Sequence, residues 1–174
     1  MASFEFLAII LTGLGLTVSI TYYALVLRNQ NKTRQAQLFM QSYKETSTPE
    51  LQHNAFELLS WQWEDFEDFN NKYWSDLELR SKFVSFMVYM NGLGIMLEEG
   101  HLPARLLYKM DQGGFIPIQV WSKFSTIALS QGEMMNNPEN MKYLEYYSDE
   151  MVKLRRKNGL AAEWSPDERR LIFE

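Results

Sequence analysis

The chain has 174 residues and 20.5 kDa, with 22 acidic and 17 basic residues, two histidines and no cysteine. Without cysteine there is no disulfide, no thiolate nucleophile and no Cys-ligated zinc or iron–sulfur site, and a net charge of −5 argues against a general nucleic-acid binder, which needs a basic footprint. Hydrophobic residues at 46 % and charged residues at 22 % exclude disordered and low-complexity classes and fit one globular domain.

The first predicted element is residues 6–27, 22 residues without a charge, of which 16 are apolar or aromatic. As a helix this run extends roughly 33 Å, enough for a hydrocarbon core about 30 Å thick. The remaining six residues, Thr12, Gly13, Gly15, Thr17, Ser19 and Thr21, do not forbid insertion, because the hydroxyls can bond back to their own helix. A cleaved signal peptide would need a basic leader, a shorter apolar core and a small-residue cleavage site. Here the leader carries Glu5, the run is longer, and Tyr22 and Tyr23 occupy the cleavage region. A buried core helix is the other alternative, given a mean hydropathy of −0.31 for the whole chain. Gly13, Thr17 and Thr21 recur every fourth residue, the small-residue stripe that lets membrane helices approach one another.

The flanks set the orientation. Arg28, Lys32, Arg34 and Lys44 follow the apolar run before any acid appears, while the N-terminal side offers Glu5. Basic residues are retained in the cytoplasm, so the expected topology in the cell membrane is single-pass, N-terminus outside, with the C-terminal part cytoplasmic. Arg28, Lys32 and Arg34 are the candidate contacts to lipid headgroups. On this topology the Asn31-Lys32-Thr33 glycosylation sequon faces the wrong compartment.

No alternation of apolar and polar residues with turn pairs supports strands, and the expected fold is all-α. The anchor (1–27) continues without a breaker into a basic juxtamembrane helix (28–46), where Leu38, Phe39 and Tyr43 mark a packing face. A cytoplasmic helical bundle (47–159) of about five helices follows. Ser47-Thr48-Pro49-Glu50 opens the first, with Leu51, Phe56, Leu58 and Leu59 inward and Trp61 and Trp63 as further candidates for that face. Ser75-Asp76-Leu77-Glu78 reads as a capping box before a helix carrying Leu79, Phe83, Phe86, Met87, Met90, Leu93 and Leu97, which Gly100 ends. Leu102 to Met110 forms a short helix. Pro117 opens the next, with Val120, Trp121, Phe124, Ile127 and Ala128 inward. Asn137-Pro138-Glu139 opens the last, with Met141, Leu144, Tyr147, Met151 and Leu154 inward. The tail (160–174) holds a second helix start at Ser165-Pro166-Asp167-Glu168.

Two patterns bear on chemistry. Glu50-Leu51-Gln52-His53 and Glu98-Glu99-Gly100-His101 both spell Glu-x-x-His, which di-iron carboxylate bundles use twice because residues at i and i+3 share a helix face. Glu50, His53, Glu98 and His101 are thus the alternative, a metal-dependent enzyme; Gly100 interrupts the second motif and counts against it. The other pattern runs from Trp61 to Trp74 and interleaves four acids with six aromatics. Packing of the aromatics with the acids as a solvated rim is one reading. Docking of a basic partner is the other, carried by Trp61, Trp63, Glu64, Asp65, Phe66 and Asp68. Lys153, Arg155, Arg156 and Lys157 form a basic knot that either complements a helix C-terminus or meets lipid or an acidic partner. No phosphate loop, serine elbow or other cofactor motif is present, so no catalytic residue is assigned.

The tyrosine-bearing anchor running into Leu27-Arg28-Asn29-Gln30, then Arg34-Gln35-Ala36-Gln37-Leu38 and Trp61-Gln62-Trp63-Glu64-Asp65-Phe66, resembles a group of uncharacterised prokaryotic membrane proteins. The resemblance implies one N-terminal membrane helix and a small helical cytoplasmic domain, and brings no activity or cofactor with it. The expectation is a membrane-anchored interaction protein, a scaffold, accessory subunit or adaptor, working with a protein partner or a second copy of itself.

Overall fold

The computed structural model describes residues 2–111 and 113–161; the expected helix start at Ser165 lies outside them. Among the described residues the fold is all-α, with no strand. The chain divides into two units, Met1–Leu38 and Phe39–Glu174, so the division falls inside the juxtamembrane segment.

The first unit is a single helix, the greater part of α1 (Ala2–Thr46), 45 residues long. Its hydroxyls are satisfied internally, as a non-aqueous surrounding requires: Thr12 donates to Ala8 O at 2.8 Å, Thr17 to Gly13 O at 2.9 Å, Ser19 to Gly15 O at 2.8 Å and Thr21 to Thr17 O at 2.8 Å. Phe4, Ile9, Leu14, Leu16, Val18, Tyr23 and Leu27 are all exposed, on every side of the helix. This is a helix long and apolar enough to cross a membrane.

The second unit is the helical bundle. Residues 39–46 of α1 pack within it, through Ser42, which is buried, and Thr46, whose hydroxyl bonds that of Tyr89. Tyr43 stays exposed and stacks on Phe39, so of the expected face only Leu38 and Phe39 are partly covered. Thr48 caps α2 (Pro49–Ser60), its hydroxyl accepting the Leu51 N–H at 3.3 Å with Pro49 in the first turn. Ala55, Leu58 and Leu59 face in, whereas Phe56 is exposed.

Between α2 and the next long helix the chain forms an element that periodicity did not reveal: α3 (Phe66–Phe69) running into a π-helical turn (Asn70–Trp74). The long α4 (Leu77–Glu98) starts one residue later than the capping box implied. Asp76 is its cap, accepting from Glu78 N at 2.8 Å and Leu79 N at 3.0 Å, while the Ser75 hydroxyl donates back to Asn71 O at 2.8 Å. Phe83, Phe86, Met87, Met90, Leu93 and Leu97 of the expected α4 face are buried, and Gly94 with them, whereas Leu79 in the first turn is only half-buried. A Cβ on Gly94 would lie 1.9 Å from the Tyr143 carbonyl oxygen, so the glycine is what lets α4 and α7 (Lys142–Lys157) approach backbone to backbone.

α5 (Ala104–Met110) follows Leu102, which is fully buried. α6 (Phe115–Met134) begins two residues before Pro117, because Gly114 takes a left-handed conformation (φ 72°) and the Asp111 carboxylate receives the Ile116 N–H at 2.8 Å. α7 starts at Lys142, later than Asn137-Pro138 implied. Residues 137–140 form turns, with the Asn137 side chain accepting Glu139 N at 3.2 Å, and Met141 adopts φ 59° instead of an inward helical position. Its first turn is finished from a distance: Asn91 of α4 accepts the Leu144 N–H at 3.0 Å. The core lies between α2, α4, α6 and α7, filled by Leu58, Phe83, Met87, Phe124, Ile127, Leu144, Tyr147 and Met151.

Candidate functional site

The acidic aromatic segment splits into a buried and an exposed part. Trp61 is 6 % exposed, stacked on Tyr73 with ring centres 4.1 Å apart, and in ring contact with Phe69 and Phe83. Its place in a docking surface is therefore corrected: the ring belongs to the core, where aromatic area is worth most. Trp63 is half-buried, stacked 5.2 Å from Phe124, with the Lys123 ammonium 5.2 Å from its centroid. Phe66 is half-buried as well.

The acids of the segment differ in the same way. Asp65 caps α3 by accepting Asp68 N at 2.9 Å. Asp68 accepts Glu64 N at 3.0 Å and pairs with Lys72 at 2.8 Å, and those two contacts hold its carboxyl below the ordinary range. Both thus fold the segment locally. Glu64, Asp65 and Glu67 remain exposed beside Trp63 and Phe66.

Lys123 supplies an anchor that nothing in the sequence signalled. Its ammonium, carried on α6, donates to Leu59 O and Trp61 O, each at 2.6 Å, closing the C-terminal end of α2. Burial pushes this lysine down to about 8, against the two carbonyls and the Trp63 face, which favour the charged form.

The basic candidates also separate. Arg28, Lys32 and Arg34 are all exposed on α1, with Arg28 and Lys32 one turn apart on one side and Arg34 on another. Arg155 of the basic knot is buried: it donates to Gly113 O at 3.0 Å and to Ala161 O at 2.6 Å, tying α7 to the α5–α6 corner. It is a structural cation, whereas Lys153, Arg156 and Lys157 stay exposed.

The two Glu-x-x-His motifs do not converge. His53 is exposed at 78 %, and its nearest acid is Glu57 at 3.7 Å, itself held by Lys82. Glu98 is the last residue of α4, and Gly100 at φ 70° turns the chain before His101, so this pair does not share one helix face. Among the described residues no three His, Asp or Glu side chains gather where they could hold a metal. The two-motif metal site is corrected accordingly.

One feature arises only from the packing: a cavity of about 400 Å³ between the end of α1, α2, α4, the α5–α6 corner and α7. Leu51, Ala55, Phe86, Met90, Leu93 and Phe115 make its walls apolar, with Thr46, Gln52, Tyr89, Asp111 and Tyr147 as the polar lining. The Tyr89 hydroxyl is committed to Thr46 and to Ser42 O at 3.2 Å. Asp111 is the one carboxyl among the lining residues. Burial raises it from 3.8 to about 8, against the Ile116 N–H and the charge of Arg155, which act in the opposite sense. Tyr147 is raised well above 10, by burial first and then by Asp111 and Tyr89. An apolar cavity holding a carboxyl of perturbed acidity is the pattern expected of a binding site.

No family model, curated protein or solved structure matches this chain.

Proposed function

We propose that this is a single-pass, membrane-anchored interaction protein: α1 spans the cell membrane with its N-terminus outside, and the helical unit works in the cytoplasm as a scaffold, accessory subunit or adaptor. The observation that carries the reading is the collar of exposed apolar side chains around α1 from Phe4 to Leu27, which water does not tolerate on every face of one helix. The cluster of Arg28, Lys32 and Arg34 supports the orientation, since cations at that position are retained inside and gain about 1 kcal/mol each from anionic lipid. The Gly13, Thr17 and Thr21 stripe gives the anchor a close-packing face toward a second membrane helix. In the cytoplasmic unit, the exposed acids Glu64, Asp65 and Glu67 beside Trp63 and Phe66 form the surface for a basic partner. The group of small prokaryotic membrane proteins that the sequence resembles has the same layout.

Because the chain has no cysteine, single-cysteine labelling reads the topology without background. A membrane-impermeant maleimide should label Glu5→Cys in intact cells, and Ser122→Cys only after permeabilisation. The opposite pattern, or release of the protein by alkaline carbonate, defeats the anchor. For the docking surface, native mass spectrometry of gently extracted protein should show a second polypeptide at fixed stoichiometry, lost in the Glu64→Lys/Glu67→Lys variant while helical content is kept. A complex that survives this charge reversal rules the acidic surface out.

A further inference from the structure

The cavity described above is chemically one-sided. Its walls are aliphatic and aromatic, and Asp111 is its one carboxyl. Among the described residues this carboxyl forms no salt bridge. One of its oxygens receives the Ile116 N–H at 2.8 Å. The cation in the neighbourhood, Arg155, directs its donors to Gly113 O and Ala161 O. Tyr89 of α4 and Tyr147 of α7 share the lining with Asp111, and the α1 and α2 lining residues carry no charge. Tyr108 of α5 stands next to Gly113 together with Arg155.

We propose that this cavity binds an organic cation, an ammonium group carried on a compact apolar body, with the head at Asp111 and the body between Phe86, Met90 and Phe115. The volume suits such a molecule, at the lower end of the roughly 300–1,000 Å³ usual for small-ligand sites. An anionic ligand would bring like charge to Asp111, and a neutral one would leave unrelieved the cost of ionising the buried carboxyl, which keeps its proton below about pH 8. A cation relieves it, in surroundings where opposite charges attract far more strongly than in water. The aromatic rings of Phe86, Phe115, Tyr89 and Tyr147 add faces that attract the same charge. A metal ion is a poorer fit, since no second or third carboxylate stands beside Asp111 among the described residues. Phe56 and Gln52, both exposed, mark the side open to solvent.

The test is calorimetric titration of the full chain in phosphatidylcholine nanodiscs with 3-phenylpropyltrimethylammonium, whose charge is fixed, against 3-phenylpropanol. One saturable site is expected, with the cation bound at least ~tenfold more tightly than the alcohol at about pH 9. Asp111 is half-protonated at about 8, so affinity for the cation should level off above that pH and fall ~tenfold per unit below it, as the cation must displace a proton. Asp111→Asn should remove the preference for charge. Gln52→Lys, at the exposed mouth and away from the core, should weaken the cation several-fold while leaving the alcohol alone, and it keeps the test decisive where the Asn variant does not fold. Equal binding of the two probes, affinity for the cation that ignores pH, a charge preference surviving in both variants, or no saturable binding would each overturn the proposal.

Discussion

Asp111 and Lys123 are carried past their ordinary acidity by the same cause, withdrawal from water, and in opposite directions. For Asp111 the folded chain holds its proton more tightly than the unfolded one. Between about 4 and about 8, therefore, the folded state loses stability as pH rises, and the loss is complete above about 8. Lys123 works the other way: its depressed value means that stability rises with pH between about 8 and 10.5. Replacing the acid by its neutral isostere isolates the first effect. Asp111→Asn should raise the thermal midpoint at about pH 9 clearly more than at about pH 5, read by circular dichroism in neutral detergent. An equal change at both pH values would show that Asp111 is not withdrawn from water as the packing places it. Trp61 and Trp63 illustrate what composition leaves open at this scale. Two tryptophans two residues apart have the same character in sequence, yet one is enclosed by Tyr73, Phe69 and Phe83 and the other keeps an exposed edge under Lys123.

At the scale of the element, helix starts were legible wherever the cap is local and displaced wherever it is not. Thr48 and Pro49 act within their own turn, and α2 begins where they place it. For α4 the cap moved from Ser75 to Asp76, because the serine hydroxyl is spent on the preceding π-helical turn. Asp76→Ala should cost about 1 kcal/mol in urea denaturation, the usual worth of a lost cap, whereas Ser75→Ala should stay within about 0.5 kcal/mol. A larger loss at Ser75 would restore it as the cap. The displaced start of α7 has a different origin. Its first turn is completed by Asn91, which lies on another helix, and no local pattern encodes an acceptor 53 residues away. The glycines inside α4 are the converse case. They weaken a helix reading by propensity, but Gly94 is required by the close passage of the Tyr143 backbone.

Across the whole molecule, the two units rest on different physics, and this gives a direct test. The unit from Phe39 onward has its own buried core and includes the residues of α1 that pack on Tyr89. A chain starting at residue 39 should fold in water without detergent, with a cooperative thermal transition and dispersed amide resonances. Aggregation or a non-cooperative transition would mean that the apolar helix completes the bundle's core.

The amino-acid sequence by itself determined the helical class, the long apolar α1 and the inward faces of α4 and α6, because periodicity and local capping act within a few residues of chain. It also excluded everything that needs cysteine chemistry. What it could not contain is the outcome of helices meeting. The enclosure of Trp61, the burial of Arg155, the reach of Lys123 to the end of α2 and the separation of the two Glu-x-x-His motifs all depend on which surfaces face one another. The Asp111 cavity is the clearest instance. Its lining is drawn from the end of α1, α2, α4, the α5–α6 corner and α7, and the acidity of its carboxyl is set by the water those elements exclude together. Only the tertiary structure removes that water, so only the tertiary structure creates the site.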